Sequence, residues 1–342
     1  MHPAWEPGGQ RSCWRWLMPD TMVDLEVLTE AVRLACRAPS LHNSQPWRWV
    51  AERGRLELFL EPSRAVHGDR SAREALISCG AVLDHLRVAM AAAGFAAEVQ
   101  RFPDAQQPDH LASIEFTPGG RVSDMQRYRA NAILLRRTDR LPFMAPSNWE
   151  PFEAVLRDSV DDPVRLCVLG DDVRPKLAEV SQLSEALRMY DAAYHAEINW
   201  WTAPFEVRDG IPQSALVSAA ESDRVDIGRA FPVTRNRERR VEVGDDHAKI
   251  VLLSTATDNP SDTLACGEAL SAVLLECTMA GLATCPVTHV TEVPAGRAML
   301  AGVAGRDDLP QVLIRIGGAP ALEKAPEPTP RRALVEVLHV KV

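Results

Sequence analysis

The chain has 342 residues, a length that suits two domains or one large duplicated domain. Hydrophobic residues make up 46% and charged residues 25%, and 47 acidic against 38 basic side chains give a net charge of −9. An acidic chain whose longest basic run is RNRERR at 235–240 is not expected to bind duplex nucleic acid or a membrane surface. No apolar run reaches the roughly 18 residues that span a bilayer.

The cysteines and the N-terminus indicate where the protein resides. Seven cysteines form no CxxC pair, and an odd number does not suit a disulfide framework or a structural zinc site. Residues 1–22 lack the apolar core of a secretion signal, so we expect a loose N-terminal extension there. These features predict a cytoplasmic protein with no metal site.

Hydrophobic spacing in the first half predicts a helix, two strands, a long helix and a strand. In chain order these are Val23–Arg37, Trp47–Ala51, Arg55–Leu60, Arg73–Ala93 and His110–Phe116. The long helix is apolar on most faces, which predicts that it is buried, and Gly94 ends it.

The second half has a similar order of elements. A strand, a long helix, an apolar run that suits a strand or a helix, a buried helix and a final strand are predicted at Val164–Leu169, Lys176–Ile198, Ile250–Ala256, Leu264–Ala280 and Gln311–Ile316.

An internal repeat relates the two buried helices. Residues 77–83 (ISCGAVL) align without a gap with 264–270 (LACGEAL) at an offset of 187, and the same offset pairs Gly94 with Gly281. Two helices rich in Ala, Leu and Gly can match by chance, but the shared element order favours duplication. We therefore predict a first half at 23–126 and a second half at 127–342.

The halves differ in the connection that precedes the buried helix. The first half has a short segment there, whereas the second has an insert of about eighty residues at roughly 170–249, which contains Trp200 and Trp201. Such an excursion is typical of a lid, a partner-binding arm or a mobile loop.

Several catalytic signatures are absent from the sequence. It has no GxGxxG after a strand, no Walker A loop, no HExxH and no GxSxG. What remains is a polar segment at 38–47 (APSLHNSQPW) and arginine clusters at 136–140 (RRTDR) and 331–332. Arginine pairs beside a hydroxyl suit a phosphate monoester, although a capped turn and solvated charged faces are the alternatives.

These segments resemble motifs of the FMN-dependent nitroreductase superfamily. APSLHNSQPW is similar to its APSxxNxQPW motif, and RRTDRLPF at 136–143 to its RRSxRxF phosphate motif. GLATCPVTH at 281–289 resembles its GLGTC-type loop beside the flavin, and IGGAP with PTPRR its closing strand and basic tail. The resemblance extends from about residue 23 to 342.

The distribution of the motifs resembles a fused dimer. Ordinary members carry RRSxR before APSxxNxQPW in one subunit, whereas here each half keeps a different part, as in the dormancy-associated Acg group. The resemblance implies the α+β class and a nitroreductase-like fold, duplicated so that one chain mimics the usual homodimer. It further implies a monomer with a C-terminal arm at 320–342.

The resemblance also implies one FMN bound between the halves. The residues implied to bind it are Pro39, Ser40, Leu41, Asn43, Arg136, Arg137, Thr138, Arg140, Pro286, Val287, Thr288, His289, Arg331 and Arg332. A core or surface position is an equal alternative for His289. Because the flavin itself performs the redox chemistry, no catalytic side chain is nominated.

Two functions remain open from the sequence. One is reduction of nitroaromatics or quinones by NAD(P)H. The other is storage or sequestration of FMN, with Trp200 and Trp201 in a closed lid that blocks nicotinamide. A flavin-free interaction protein is a third possibility, which requires the arginines to lie apart in space.

Overall fold

The computed structural model describes residues 23–52, 54–203, 210–232, 234, 237–322 and 327–341. The predicted N-terminal extension at 1–22 lies outside this described part, as do Arg235 and Asn236 of the basic run. The strands are β1 (Trp47–Glu52), β2 (Arg55–Leu60), β3 (Phe95–Arg101), β4 (His110–Pro118), β5 (Val164–Leu169), β6 (Lys249–Thr255), β7 (Ala283–Val287), β8 (Leu309–Gly317) and β9 (Leu338–Lys341).

Ten helices are described between and beside these strands. They are α1 (Leu25–Ala35), α2 (Arg73–Ala92), α3 (Asp124–Leu135), α4 (Trp149–Asp158), α5 (Arg174–Leu187), α6 (Ala192–Trp201), α7 (Ala219–Asp223), α8 (Pro260–Met279), α9 (Pro294–Ala304) and α10 (Leu334–Val337).

The two halves form separate sheets with the same strand order. The first sheet runs β3-β4-β2-β1-β9 and the second β5-β6-β8-β7, so β1-β2-β4-β3 corresponds to β5-β6-β8-β7. All pairs are antiparallel except β9, which comes from the C-terminal arm and lies parallel to β1. The repeated order is what an internal duplication predicts, and the arm ties the end of the chain to the first half.

Helices α2 and α8 pack against each other at the centre, where two glycines meet. A Cβ on Gly80 would lie 2.0 Å from the carbonyl oxygen of Leu264, and a Cβ on Gly267 would lie 2.0 Å from that of Ile77. Gly267 and Leu264 lie 187 positions after Gly80 and Ile77, so each helix contributes the same pair of positions to the contact, as at a two-fold axis. By length and composition α2 could cross a membrane, but 83% of its apolar window is buried within the protein.

Replacing Gly267 by alanine is expected to destabilise the fold by at least about 3 kcal/mol, because the helices must separate around an overpacked methyl group. Gly302 of α9 is the matched control, since nothing lies within 4 Å of its added Cβ. Gly302→Ala should stabilise the protein by about 0.5–1 kcal/mol through helix propensity. Urea unfolding of the three proteins measures both changes, and equal stability of the wild type and Gly267→Ala would contradict the close crossing.

The structure corrects several predicted elements. The helix predicted at 176–198 is two helices, α5 and α6, separated at 188–191, and the loop predicted around 283–287 is strand β7. Strand β3 and helix α3 were not predicted. Helix α3 mixes polar and apolar residues without a clear apolar stripe, although Ser123 and Gln126 form a capping box at its start.

Candidate functional site

A cavity of about 720 Å³ lies where the two halves and the insert meet. This volume is within the range of cofactor pockets, about 300–1,000 Å³. The first half supplies the loop 39–42 and the first turns of α2, and the second half supplies Thr138, Arg140 and the end of β7 at 285–288. The insert supplies residues of α5 and of the segment 217–231. The site is therefore composite.

The loop that follows α1 has a backbone strained by three non-glycine residues with positive φ. His42, Asn43 and Gln45 have φ values of 52°, 61° and 51°, which costs energy that the surroundings must offset. The backbone N–H of Gln45 donates to Ser40 Oγ at 3.0 Å. The backbone N–H of Arg332, in the C-terminal arm, donates to Gln45 Oε1 at 2.9 Å. These bonds hold Ser40 and Leu41 at the cavity.

A smaller cavity adjoins the main one and shares four of its lining residues, Pro39, Ser40, Thr138 and Arg140. Five arginines line it, and none of the described residues in its wall is acidic: Arg37, Arg136, Arg137, Arg140 and Arg331. Cations gathered without carboxylates are costly to bury unless an anion joins them. This cavity suits a phosphate group.

Arg136 and Arg331 are cations of this phosphate pocket, and the pKa of each is lowered. Arg136 is 6% exposed and donates one bond to the Arg37 carbonyl, while its Nε and Nη1 are buried with no hydrogen-bond partner. Burial and then Arg37 lower its pKa to about 10. Arg331 donates to the backbone carbonyls of residues 36–38, and burial followed by Arg136 lowers its pKa to about 9. A bound phosphate would compensate both charges.

The insert is held to the second half by a buried ionic cluster. Glu292 pairs with Arg229 of the insert and at 2.8 Å with Arg188, which follows α5. Its carboxylate also accepts a 2.5 Å hydrogen bond from the hydroxyl of Thr288. Burial opposes the charge, but the two arginines keep the pKa of Glu292 well below its usual range. Because Arg229 and Thr288 both line the cavity, this cluster fixes the insert at its wall.

Three further contacts anchor the insert. Glu197 of α6 accepts from the backbone amides of His67 and Gly68 at 2.6 and 3.1 Å. Asn43 Nδ2 donates to the Gly210 carbonyl at 3.0 Å. Arg240, which is 2% exposed, pairs with Asp139 of the RRTDR motif. The insert is therefore attached to both halves in this structure.

His42 lines the cavity between the first half and the insert. Its ring stacks on Trp201 and meets Phe231 edge-on, each with centroids 6.4 Å apart. Burial and then Arg229 lower its pKa to about 3, so the imidazole is neutral at physiological pH. It serves as a packing contact for the insert.

Most of the predicted FMN-binding residues line one of the two adjoining cavities. Those in the walls are Pro39, Ser40, Leu41, Asn43, Arg136, Arg137, Thr138, Arg140, Pro286, Val287, Thr288 and Arg331. The amide of Asn43 is engaged by Gly210 and by Pro330, so it links the loop to the insert and the arm.

Two further residues that are predicted to bind FMN, Arg332 and His289, do not line either cavity. Arg332 pairs with Glu61 at 2.9 Å and donates to the carbonyls of Gln45 and Trp47, so it braces the strained loop. His289 is 1% exposed, and its Nε2 lies 2.9 Å from Ser181 Oγ. His289 is therefore a core residue, which was the alternative interpretation, and it directly follows the wall residue Thr288.

Trp200 and Trp201, which a closed lid would contain, lie outside the wall of the main cavity. Trp200 is 51% exposed, Trp201 packs on His42, and neither lines the main cavity. Among the described residues of the insert, His195 and Phe231 contribute aromatic rings to the wall.

Sequence reasoning missed Arg37, Glu74, Arg229 and Arg315 as wall residues. Arg37 could have been noticed, because it directly precedes the APS motif at the end of a helix. The others depend on contacts between distant segments and have no local signature.

Comparison with known proteins identifies the class. Residues 9–58 match the model of the nitroreductase family. A Mycobacterium tuberculosis protein named "Putative NAD(P)H nitroreductase acg" is 57% identical over 95% of this chain and 98% of its own length. The chain therefore belongs to the nitroreductase family, and it has the nitroreductase-like α+β fold.

Two other relatives from the same organism are similar over most of the chain. The uncharacterized protein Rv3127 is 53% identical over 92% of this chain and 93% of its own length. The protein named "Putative NAD(P)H nitroreductase Rv3131" is 35% identical over 92% of both chains. Among solved structures, the FMN-dependent nitroreductase NfnB of Mycobacterium smegmatis with NADPH covers 62% of this chain and 97% of its own, at 16% identity and a TM-score of 0.37.

Proposed function

We propose that the protein binds one FMN between its halves and uses it to reduce nitroaromatics or quinones with electrons from NAD(P)H. The observation that carries the proposal is the buried cation of Arg136, whose Nε and Nη1 have no hydrogen-bond partner, in a pocket beside a cofactor-sized cavity, because a flavin phosphate would supply the compensating negative charge. The names of two mycobacterial relatives, 57% and 35% identical to this chain, support reduction of nitro compounds by NAD(P)H.

The side chains of this site would divide the work. Arg136, Arg137, Arg140 and Arg331 would hold the phosphate, and Pro39–Leu41 with Pro286–Thr288 would enclose the ring. FMN, when bound, supplies the hydride-transfer chemistry. The protein contributes orientation, exclusion of water and access for the two substrates. A single chain that holds both halves accounts for the proposed monomer.

A second candidate function is sequestration of FMN. It is favoured by the insert, which lines the cavity and is attached to both halves through Glu197, Asn43 and the Glu292 cluster. Hydride transfer requires nicotinamide stacked on the flavin with reacting atoms about 3–3.5 Å apart. An insert that stays in this position would prevent that approach.

One experiment separates these functions. The purified chain is reconstituted with FMN, the bound flavin is quantified after heat release, and bleaching is followed with NADH, NADPH and dithionite before addition of a nitroaromatic or quinone. We expect about one FMN per chain, since the chain carries one complete set of the motifs whose residues line the arginine pocket. Turnover with NAD(P)H supports the reductase, bleaching by dithionite alone supports sequestration, and two flavins per chain or preference for FAD overturns the composite site.

A further inference from the structure

Glu74 is an ionisable side chain in the cavity wall that contributes neither to the phosphate pocket nor to the anchoring of the insert. It lies in the first turn of α2, is 5% exposed and lines the main cavity. Two charged groups lie against it, the guanidinium of Arg73 and the carboxyl group of Asp69. Its protonation state therefore depends on how these three charges balance.

The hydrogen bonds of Arg73 and Asp69 leave one acceptor without a donor. Arg73 contacts Glu74 and also donates to the carbonyls of Gln311 and Thr291 at 2.9 and 3.0 Å. Asp69 Oδ2 accepts from the Ala75 amide at 2.8 Å, but its Oδ1 is buried and has no partner among the residues that the structure describes. A proton on Glu74 would supply that partner.

The charge balance also requires a proton at this pair. With both carboxyl groups ionised, the group that includes Arg73 would carry a net charge of −1 in a buried place, and one shared proton makes it neutral. Burial first and then Asp69 raise the pKa of Glu74 well above its usual range, while Arg73 opposes them. Glu292 also faces it, with its own charge compensated by Arg229 and Arg188.

We propose that Glu74 is the proton donor in the reduction of the acceptor, an inference that rests on the proposed reductase function. Reduction of a quinone to a hydroquinone adds a hydride and a proton to the acceptor. FMN chemistry accounts for the hydride. The proton leaves a carboxyl oxygen of Glu74 and forms an O–H bond on the acceptor, and the resulting carboxylate regains a proton from solvent.

Two variants and an exposed control test this role. Glu74→Gln keeps the shape and the contact with Arg73 but removes the transferable proton. Asp69→Asn keeps Glu74 but replaces its carboxyl neighbour with a neutral amide, which lowers the pKa of Glu74. Glu179→Gln, on the exposed face of α5, is the control. The first measurement uses the flavin-free protein and follows the infrared carbonyl band of a protonated carboxyl group against pH.

The second measurement follows reoxidation of the dithionite-reduced, FMN-loaded protein by a naphthoquinone across pH. We expect Glu74→Gln to lose the infrared band and to be reoxidised about 100-fold more slowly or worse, the usual contribution of general acid catalysis. Asp69→Asn should titrate at lower pH in both measurements, and the control should match the wild type.

Survival of the infrared band in Glu74→Gln would overturn the role of Glu74 and leave the proposed function standing. Reoxidation of that variant at the wild-type rate and with the wild-type pH profile would do the same. A wild-type protein that binds FMN but is reoxidised by no quinone or nitroaromatic would instead overturn the proposed function. Should Glu74→Gln fail to fold, Asp69→Asn decides, because an unchanged titration in that variant excludes the shared proton.

Discussion

Replacement of Arg136 by methionine is expected to weaken FMN binding by about 10- to 100-fold and to leave the affinity for riboflavin almost unchanged. Charge-assisted hydrogen bonds contribute about 1.5–3 kcal/mol each, and each 1.4 kcal/mol is tenfold in affinity. Only FMN carries the phosphate, so only FMN loses this interaction. Fluorescence titration of the flavin-free protein with both ligands measures the difference.

The same substitution is expected to stabilise the flavin-free protein. Arg136 is a buried cation with two unpartnered nitrogen atoms, and burial lowers its pKa. An apolar side chain of similar length removes that cost, which is on the order of 1–3 kcal/mol. Urea unfolding without flavin is the measurement. A variant that loses FMN affinity and flavin-free stability together would indicate general damage to the fold.

Arg332→Met provides the matched comparison, since Arg332 braces the strained loop through Glu61 and the Gln45 carbonyl. We expect it to weaken FMN and riboflavin to the same extent, because the loop lines the cavity for the shared ring. Equal losses for Arg136→Met would mean that Arg136 does not face the phosphate.

Because the insert lines the cavity, reduction of the bound flavin by NADPH is expected to be limited by opening of the insert and to accelerate at least about tenfold in Glu292→Gln. The substitution leaves Arg229 and Arg188 buried without their carboxylate, and breaking a buried ion pair costs about 3–5 kcal/mol. Part of that free energy destabilises the closed position of the insert. The population of molecules in which the insert is open therefore rises. Stopped-flow bleaching with NADPH measures the effect.

Dithionite reduction should stay nearly constant across this series, because a small reductant does not need to stack on the ring. Glu179→Gln, with its exposed side chain, is the control on the insert. Trp200→Ala should have little effect, since that indole is half exposed, whereas Trp201→Ala removes the stack on His42 and should act in the same direction as Glu292→Gln. Rapid reduction of the wild type by NADPH would contradict a closed insert.

Much of the candidate site could be predicted from the sequence because its motifs are local. The segment 38–47 combines turn-forming, hydroxyl and amide residues, the cluster 136–140 combines arginines with a hydroxyl residue, and both line the adjoining cavities. The buried helices were predictable for the same reason, since apolarity on most faces and a terminating glycine are properties of one segment. The reciprocal contact of Gly80 and Gly267 agrees with the repeat that their shared offset predicts.

Tertiary structure decided the roles that depend on which distant groups meet. Arg331 and Arg332 are neighbours in sequence, yet the arm directs one into the phosphate pocket and the other to Glu61. Trp201 packs beside the cavity because Glu197 fixes its helix to the first half, and Glu74 has a carboxyl neighbour only because a loop brings Asp69 to it. The sequence by itself determined the residue types that a phosphate and a flavin require. Side-chain direction and charge pairing arise from long-range packing, so the structure alone assigned each arginine and carboxylate its partner.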